Sequence, residues 1–224
     1  YGTRITNGKT SANGFDASTT ANPSIYYWNN ATATWGVPAT TTSETITNND
    51  AYMIFVRGHR GVAITNQYQT TSGFAQLRVR GQMNIGSVSK SVPGSGKYSM
   101  FSNPYPSAIN MRKVIYNGST GLSNYYLWDP KLLGSKNVGG WVTFSWSGSS
   151  YGQTYDFVPN SSSGVSSFSG NGDIESGMAF MLKNTGATTT LQFNEASKIT
   201  TSTTVGLASS LRILTALPQS YMLI

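Results

Sequence analysis

Apolar and polar residues alternate along this chain in short runs. Leu77-Arg78-Val79-Arg80 and Trp141-Val142-Thr143-Phe144-Ser145-Trp146 are clear instances. Such period-2 alternation sets one face of a strand on a core and leaves the other in water, the antiparallel habit. Strands are accordingly predicted at 24–29, 51–58, 74–88, 98–103, 124–129, 140–147, 155–159, 178–184 and 189–194. No apolar run with helical spacing extends beyond about two turns. Clusters of Ser, Thr, Gly and Asn separate the strands, with turn signals at Asn7-Gly8 and Asn13-Gly14 and a long polar loop over 160–172. The pattern predicts an all-β fold, an antiparallel sandwich or jelly-roll-like arrangement.

The pattern also recurs. Ile25-Tyr26-Tyr27-Trp28-Asn29 is matched by Tyr125-Tyr126-Leu127-Trp128-Asp129, and each is followed by a further tryptophan, Trp35 or Trp141. Ile46 followed by Ala51-Tyr52-Met53 is matched, at the same spacing, by Ile174 followed by Ala179-Phe180-Met181. The preserved order predicts two related β units, 1–97 (truncated at its N-terminus) and 98–199. The segment 200–224 begins polar and ends apolar, in Tyr221-Met222-Leu223-Ile224. It is read as an edge strand or the start of a following module. An apolar terminus left exposed invites aggregation, so it is expected to be paired.

Composition narrows the class. Charged residues are 10% of the 224, against about 25% in ordinary soluble domains, while Ser and Thr supply roughly a quarter. The 13 Tyr, 9 Phe and 5 Trp argue against disorder, which goes with a scarcity of aromatics. No cysteine is present, which excludes disulfides and thiolate metal sites. No apolar run approaches the length of a membrane-spanning helix, so no transmembrane segment is predicted. The net charge of +7 is spread out, except at Arg57, His59 and Arg60, at Arg78 and Arg80, and at Arg112 and Lys113. That spacing favours an acidic glycan over nucleic acid as a polyanionic partner, and no nucleic-acid partner is expected.

Candidate chemistry is sparse. The single histidine, His59, sits between glycines in Arg57-Gly58-His59-Arg60-Gly61, with Asp50 the nearest acid and no nucleophile-elbow motif in the chain. It reads as a solvated turn residue, and no catalytic residue is assigned. Asp173 and Glu175 follow Gly170-Asn171-Gly172. Two residues apart, they share a face if on a strand, and could hold Ca²⁺ if in a loop; otherwise they form a solvated turn. No other cofactor is expected. Asn103-Pro104-Tyr105-Pro106 rules out a central strand and shapes either a rigid strand exit or a ligand-binding corner. Trp28, Trp35, Trp128, Trp141 and Trp146 are the candidate aromatic platforms for stacking on sugar rings, with core packing as the alternative.

Five segments in fixed order carry a resemblance: 103–110 (NPYPSAIN), 126–130 (YLWDP), 139–144 (GGWVTF), 174–180 (IESGMAF) and 193–198 (FNEASK). Together with 1–6, 11–16 and 51–58, this order resembles a β-rich module of very large exported proteins of Bacteroidetes, many of them cargo of the type IX secretion system. The resemblance spans about 1–199. It implies secretion or surface display and an adhesin-like or matrix role, and supplies no catalytic residues. Such proteins are far longer and end in a sorting domain. This chain starts mid-pattern at Tyr1 and reaches Ile224 without one, so a piece of a larger protein is expected. The functional expectation is a non-enzymatic extracellular module with an adhesive or structural role, such as a subunit of a fibre, sheath or matrix. Its expected partners are further copies of itself, neighbouring modules or glycans. The alternative is a carbohydrate-binding module using exposed Trp and Tyr.

Overall fold

The first repeated motif forms three antiparallel strands of one sheet, with its first strand in the middle. Strand β1 (Ile25–Asn29) turns into β2 (Thr34–Gly36), and β3 (Tyr52–Val56) pairs on the other side of β1. The β1–β2 turn is fixed by Asn29, whose Oδ1 accepts the N–H groups of Ala31 (2.9 Å) and Thr32 (3.3 Å). Asparagine caps its own turn in this way because its short amide reaches the backbone two residues on. Opposite Tyr27 stands Gly36, and a side chain there would run into the Tyr27 ring. The missing Cβ therefore makes room for that ring to lie across β2.

The computed structural model describes residues 2–46, 51–56, 59–61, 82–129, 140–155, 173–199 and 219–223, the backbone alone at 153–155 and 219–223. After β3 come β4 (Val88–Val92), β5 (Lys97–Ser102), β6 (Ile115–Tyr116), β7 (Ser119–Thr120) and β8 (Asn124–Asp129). Then follow β9 (Gly140–Trp146), β10 (Tyr151–Tyr155), β11 (Ala179–Asn184), β12 (Thr189–Phe193) and β13 (Gln219–Leu223). The strands make three antiparallel sheets, in the orders β13-β3-β1-β2, β10-β9-β8-β11-β5 and β4-β12-β6-β7. The fold is all-β and sandwich-like, without a closed barrel; among the described residues only two short 3-10 turns break the pattern. The strand β4, before residue 97, pairs with β12, and β5 pairs with β11.

Several strand bounds differ from those the alternation predicts. A strand not expected before residue 155 runs over Tyr151–Tyr155, where the β9–β10 turn is tightened at Ser147, whose N and Oγ both bond Ser150 O. Of the strand expected at 155–159, residues 156–159 lie outside the described residues. Strands β2, β4, β6 and β7 were not predicted, being short or rich in Ser and Thr. Of the strand expected at 74–88, residues 74–81 lie outside the described residues and 82–87 are not strand, pairing beginning at Val88. Asp50, Arg57, Arg78, Arg80 and the 160–172 loop also lie outside the described residues.

The main core is aromatic. Tyr125 stacks on Phe144 (5.1 Å between ring centroids) and meets Tyr151 and Phe180 edge-on, while Phe180 also contacts Phe101 and Phe193. Residues from both ends of the chain join one cluster, from Ile5 and Phe15 to Leu191 and Phe193. Burial raises the Tyr125 phenol well above its ordinary range, with Tyr151 and Asp173 adding to the effect. The Asn103 segment is a rigid strand exit. Its buried amide donates to Ser107 O (2.8 Å) and Ile174 O (3.0 Å) and accepts from Tyr105 N, while Tyr105 OH bonds Gly86 O.

Candidate functional site

The two repeated motifs occupy matching places in two sheets. Trp28 faces Trp35 across β1–β2, and Trp128 faces Trp141 across β8–β9. The first pair meets edge-on at 5.1 Å and 77°, the second at 5.3 Å and 76°. Pairs of this kind contribute about 0.5–1.5 kcal/mol beyond the area they bury. One row further along, Tyr26 is opposite Met53 and Tyr126 is opposite Met181. The row extends the same way in both sheets, to Met222 on β13 and to Met100 on β5. Thus the order β13-β3-β1-β2 matches β5-β11-β8-β9, register included.

The motifs also meet each other. Ala51, Met100 and Ala179 are buried together, and Trp28, Trp128, Trp141 and Met181 pack against them. Hydrogen bonds stitch the β1–β2 turn to β5: Asn30 Nδ2 donates to Met100 O (3.0 Å) and Asn30 Oδ1 accepts from Met100 N (2.8 Å). Trp28 Nε1 donates to Tyr98 O, and Lys97 Nζ to Ala31 O. A side-chain amide presents one donor and one acceptor, the same pair a neighbouring strand would offer. Asn30 therefore closes part of the β5 edge, a position that otherwise invites another strand. Three of the five candidate tryptophans, Trp28, Trp128 and Trp141, thus belong to a seam between sheets, and Trp35 meets that seam only through Trp28. Trp35 is exposed, at 40%. Tyr98 at the same seam is exposed too, with Tyr126 edge-on to it and Lys183 Nζ 5.3 Å from its ring centre.

Trp146 lies apart, beside a cleft of about 380 Å³. Its indole carries the Arg112 guanidinium, Cζ lying 4.1 Å from the ring centroid, and meets Tyr151 edge-on. Arg112 sits on the 3-10 turn Met111–Lys113, which Asn110 caps through its side chain and Met111 anchors in the core. Tyr151 is held by its hydroxyl, which donates to Leu122 O at 2.9 Å. Burial pushes its phenol up to about 12, partly offset by Arg112. The exposed hydroxyls of Thr120 and Ser123 complete the rim. Sequence reading marked Arg112 only as half of a basic pair and did not single out Tyr151, Thr120 or Ser123. The tryptophan before a Ser-Gly-Ser-Ser turn and the tyrosine after it were the available signal.

The remaining candidates are dispersed. Asp173 is buried (3% exposed) beside Ile174, which bridges to Ile109, while Glu175 starts a turn through its carbonyl to Met178 N. Among the described residues no three His, Asp or Glu side chains gather as a metal site. His59 is exposed and accepts from Gly61 N, and its neighbour Arg60 forms a two-pronged ion pair with Asp16 at 2.8 Å. Beside the Tyr105 ring, the Lys198 ammonium and the Gly86 N–H hold the Glu195 carboxyl below its usual range. No family model, curated protein or solved structure matches this chain.

Proposed function

We propose that this chain is a non-enzymatic module of an extracellular, surface-displayed structure, adhesive or structural in role, which joins neighbouring modules by adding strand to strand. The observation that supports this best is the match of β13 on β3 to β5 on β11, through the rows Met222–Met53–Tyr26 and Met100–Met181–Tyr126. The same structural slot is filled by the strand that opens the second unit in one case, and by a strand from residue 219 onward in the other. A strand that completes a sheet from far along the sequence can complete the sheet of a second copy by the same backbone hydrogen bonds. The resemblance to modules of large exported Bacteroidetes proteins points the same way.

The test uses the absence of native cysteine. Met53→Cys with Met222→Cys places two thiols opposite each other in the β3–β13 register, a spacing that suits a disulfide. Oxidation at increasing protein concentration is expected to give a ladder of linked chains on non-reducing gels. Electron microscopy of the native chain at physiological salt is expected to show filaments that survive salt and mild detergent. Linkage only within single chains, with dispersed particles at every concentration, would defeat strand addition between copies.

A further inference from the structure

The Arg112–Trp146 cleft has no part in the strand seam, and its chemistry is that of a receptor. Three separate stretches build it: the capped turn carrying Arg112, the 120–123 segment leading into β8, and the β9–β10 hairpin carrying Trp146 and Tyr151. The turn carrying Arg112 is fixed by its own cap, and the other two walls are bonded to each other. Asn110 Oδ1 accepts Arg112 N at 2.9 Å, Tyr151 OH bonds Leu122 O, and Trp146 N bonds Ser123 O at 2.8 Å. Its volume of about 380 Å³ falls in the range of about 300–1,000 Å³ typical of small-molecule clefts.

The charged group is Arg112, exposed and seated on an indole. The two ion pairs among the described residues are Arg60–Asp16 and Lys198–Glu195, so neither uses it. A guanidinium over an aromatic ring is oriented by the ring's π face, while its N–H donors lie in its own plane, matched to the two oxygens of a carboxylate. Lys113 follows Arg112 on the same turn, and the chain's net charge of +7 favours anionic partners in general. The Thr120 and Ser123 hydroxyls can each donate and accept, as sugar hydroxyls do.

We propose that this cleft binds a carboxylated sugar, a uronic acid residue of an acidic polysaccharide, with Arg112 taking the carboxylate and Thr120 and Ser123 meeting ring hydroxyls. The site shares no residue with the β3–β13 register, so its test is made on the native chain in whichever state of assembly it adopts.

Oligogalacturonate is titrated into the protein by calorimetry and indole fluorescence, beside its fully methyl-esterified form, which has the same rings without charge. A sulfated oligosaccharide of equal length is the third arm. The charged uronate is expected to bind at least about tenfold more tightly than the ester, since a charge-assisted hydrogen bond is lost with the charge. Binding should weaken as salt is raised. Arg112→Gln is expected to reduce uronate affinity about tenfold or more with a melting temperature within about 4 °C of the parent's, the cost of the lost cation–π contact, and Arg112→Lys to fall between, having charge without the fork. In Trp146→Phe the fluorescence response should vanish, since Trp146 is the tryptophan that lines the cleft among the described residues. Equal binding of uronate and ester would overturn the proposal. So would an Arg112→Gln affinity equal to that of the parent chain, a response that persists in Trp146→Phe, or tighter binding of the sulfated sugar.

Discussion

Replacing Asn30 by alanine removes one side chain at a turn tip and two hydrogen bonds from the edge of another sheet. Asn30 donates to Met100 O at 3.0 Å and accepts from Met100 N at 2.8 Å, and Met100 itself is 2% exposed. Each such bond contributes about 1 kcal/mol net, and orphaning a buried backbone group costs about 1–3 kcal/mol. Both bonds are only partly buried, which lets water replace some of the loss. The lower figure therefore governs, and Asn30→Ala is expected to cost about 2 kcal/mol. For a chain of this length each kcal/mol moves Tm by about 2–4 °C, so a fall of about 4–8 °C is expected by calorimetry. Asn30→Asp keeps the acceptor for Met100 N but sets an oxygen against Met100 O. It should protect the Met100 amide while still destabilising the fold. Hydrogen exchange separates the cases, since the Met100 amide should exchange faster in Asn30→Ala and stay slow in Asn30→Asp. An Asn30→Ala chain within about 0.5 kcal/mol of the parent, with its Met100 amide equally protected, would refute the edge-closing role.

Three further outcomes follow from the packing. Gly94→Ala is expected to destabilise by about 1–3 kcal/mol in urea unfolding, because the added Cβ meets the backbone of Gly186, Ala187 and Thr188, which cannot rotate aside as a side chain can. Phe180→Ala, at a fully buried ring between Tyr125, Phe101 and Phe193, should cost about 3–5 kcal/mol, and a loss under about 1 kcal/mol would contradict the assigned core. Tyr151 has its folded pKa raised from 10.0 to about 12, so the neutral phenol's contribution is complete below pH 10 and is lost as pH rises toward 12. The urea midpoint should fall between pH 10 and pH 12 in the parent chain. In Tyr151→Phe it should start about 1 kcal/mol lower, for the lost bond to Leu122 O, and fall less steeply; an equal slope would contradict the shift.

The candidate site was legible in parts. The repeated Tyr/Trp strands followed by a second tryptophan marked Trp28, Trp35, Trp128 and Trp141, and each pair stands cross-strand in the same geometry. That the two pairs face one seam could not be read from the repeat, since a repeat fixes each unit's internal pairing and leaves open which face of one unit covers the other. Arg112 and Trp146 are 34 residues apart, by subtraction of their numbers, and only the return of β9 beside β8 brings them within 4.1 Å. Asn30 looked like one more turn residue, and its partner Met100 is 70 residues away.

By itself the sequence determined the all-β class and most strand positions, because alternation, aromatic content and Asn/Gly turns are local properties of a pleated chain. It also determined that the Ile25–Asn29 strand and the Asn124–Asp129 strand would play equivalent parts, since the same order of side chains demands the same neighbours on each face. Tertiary structure alone decided that β13 pairs with β3, that β4 pairs with β12, and that an amide closes the β5 edge. Backbone groups on an edge are chemically alike along its whole length, so the sequence of an edge strand does not name its partner. The packing of one sheet against another makes that choice.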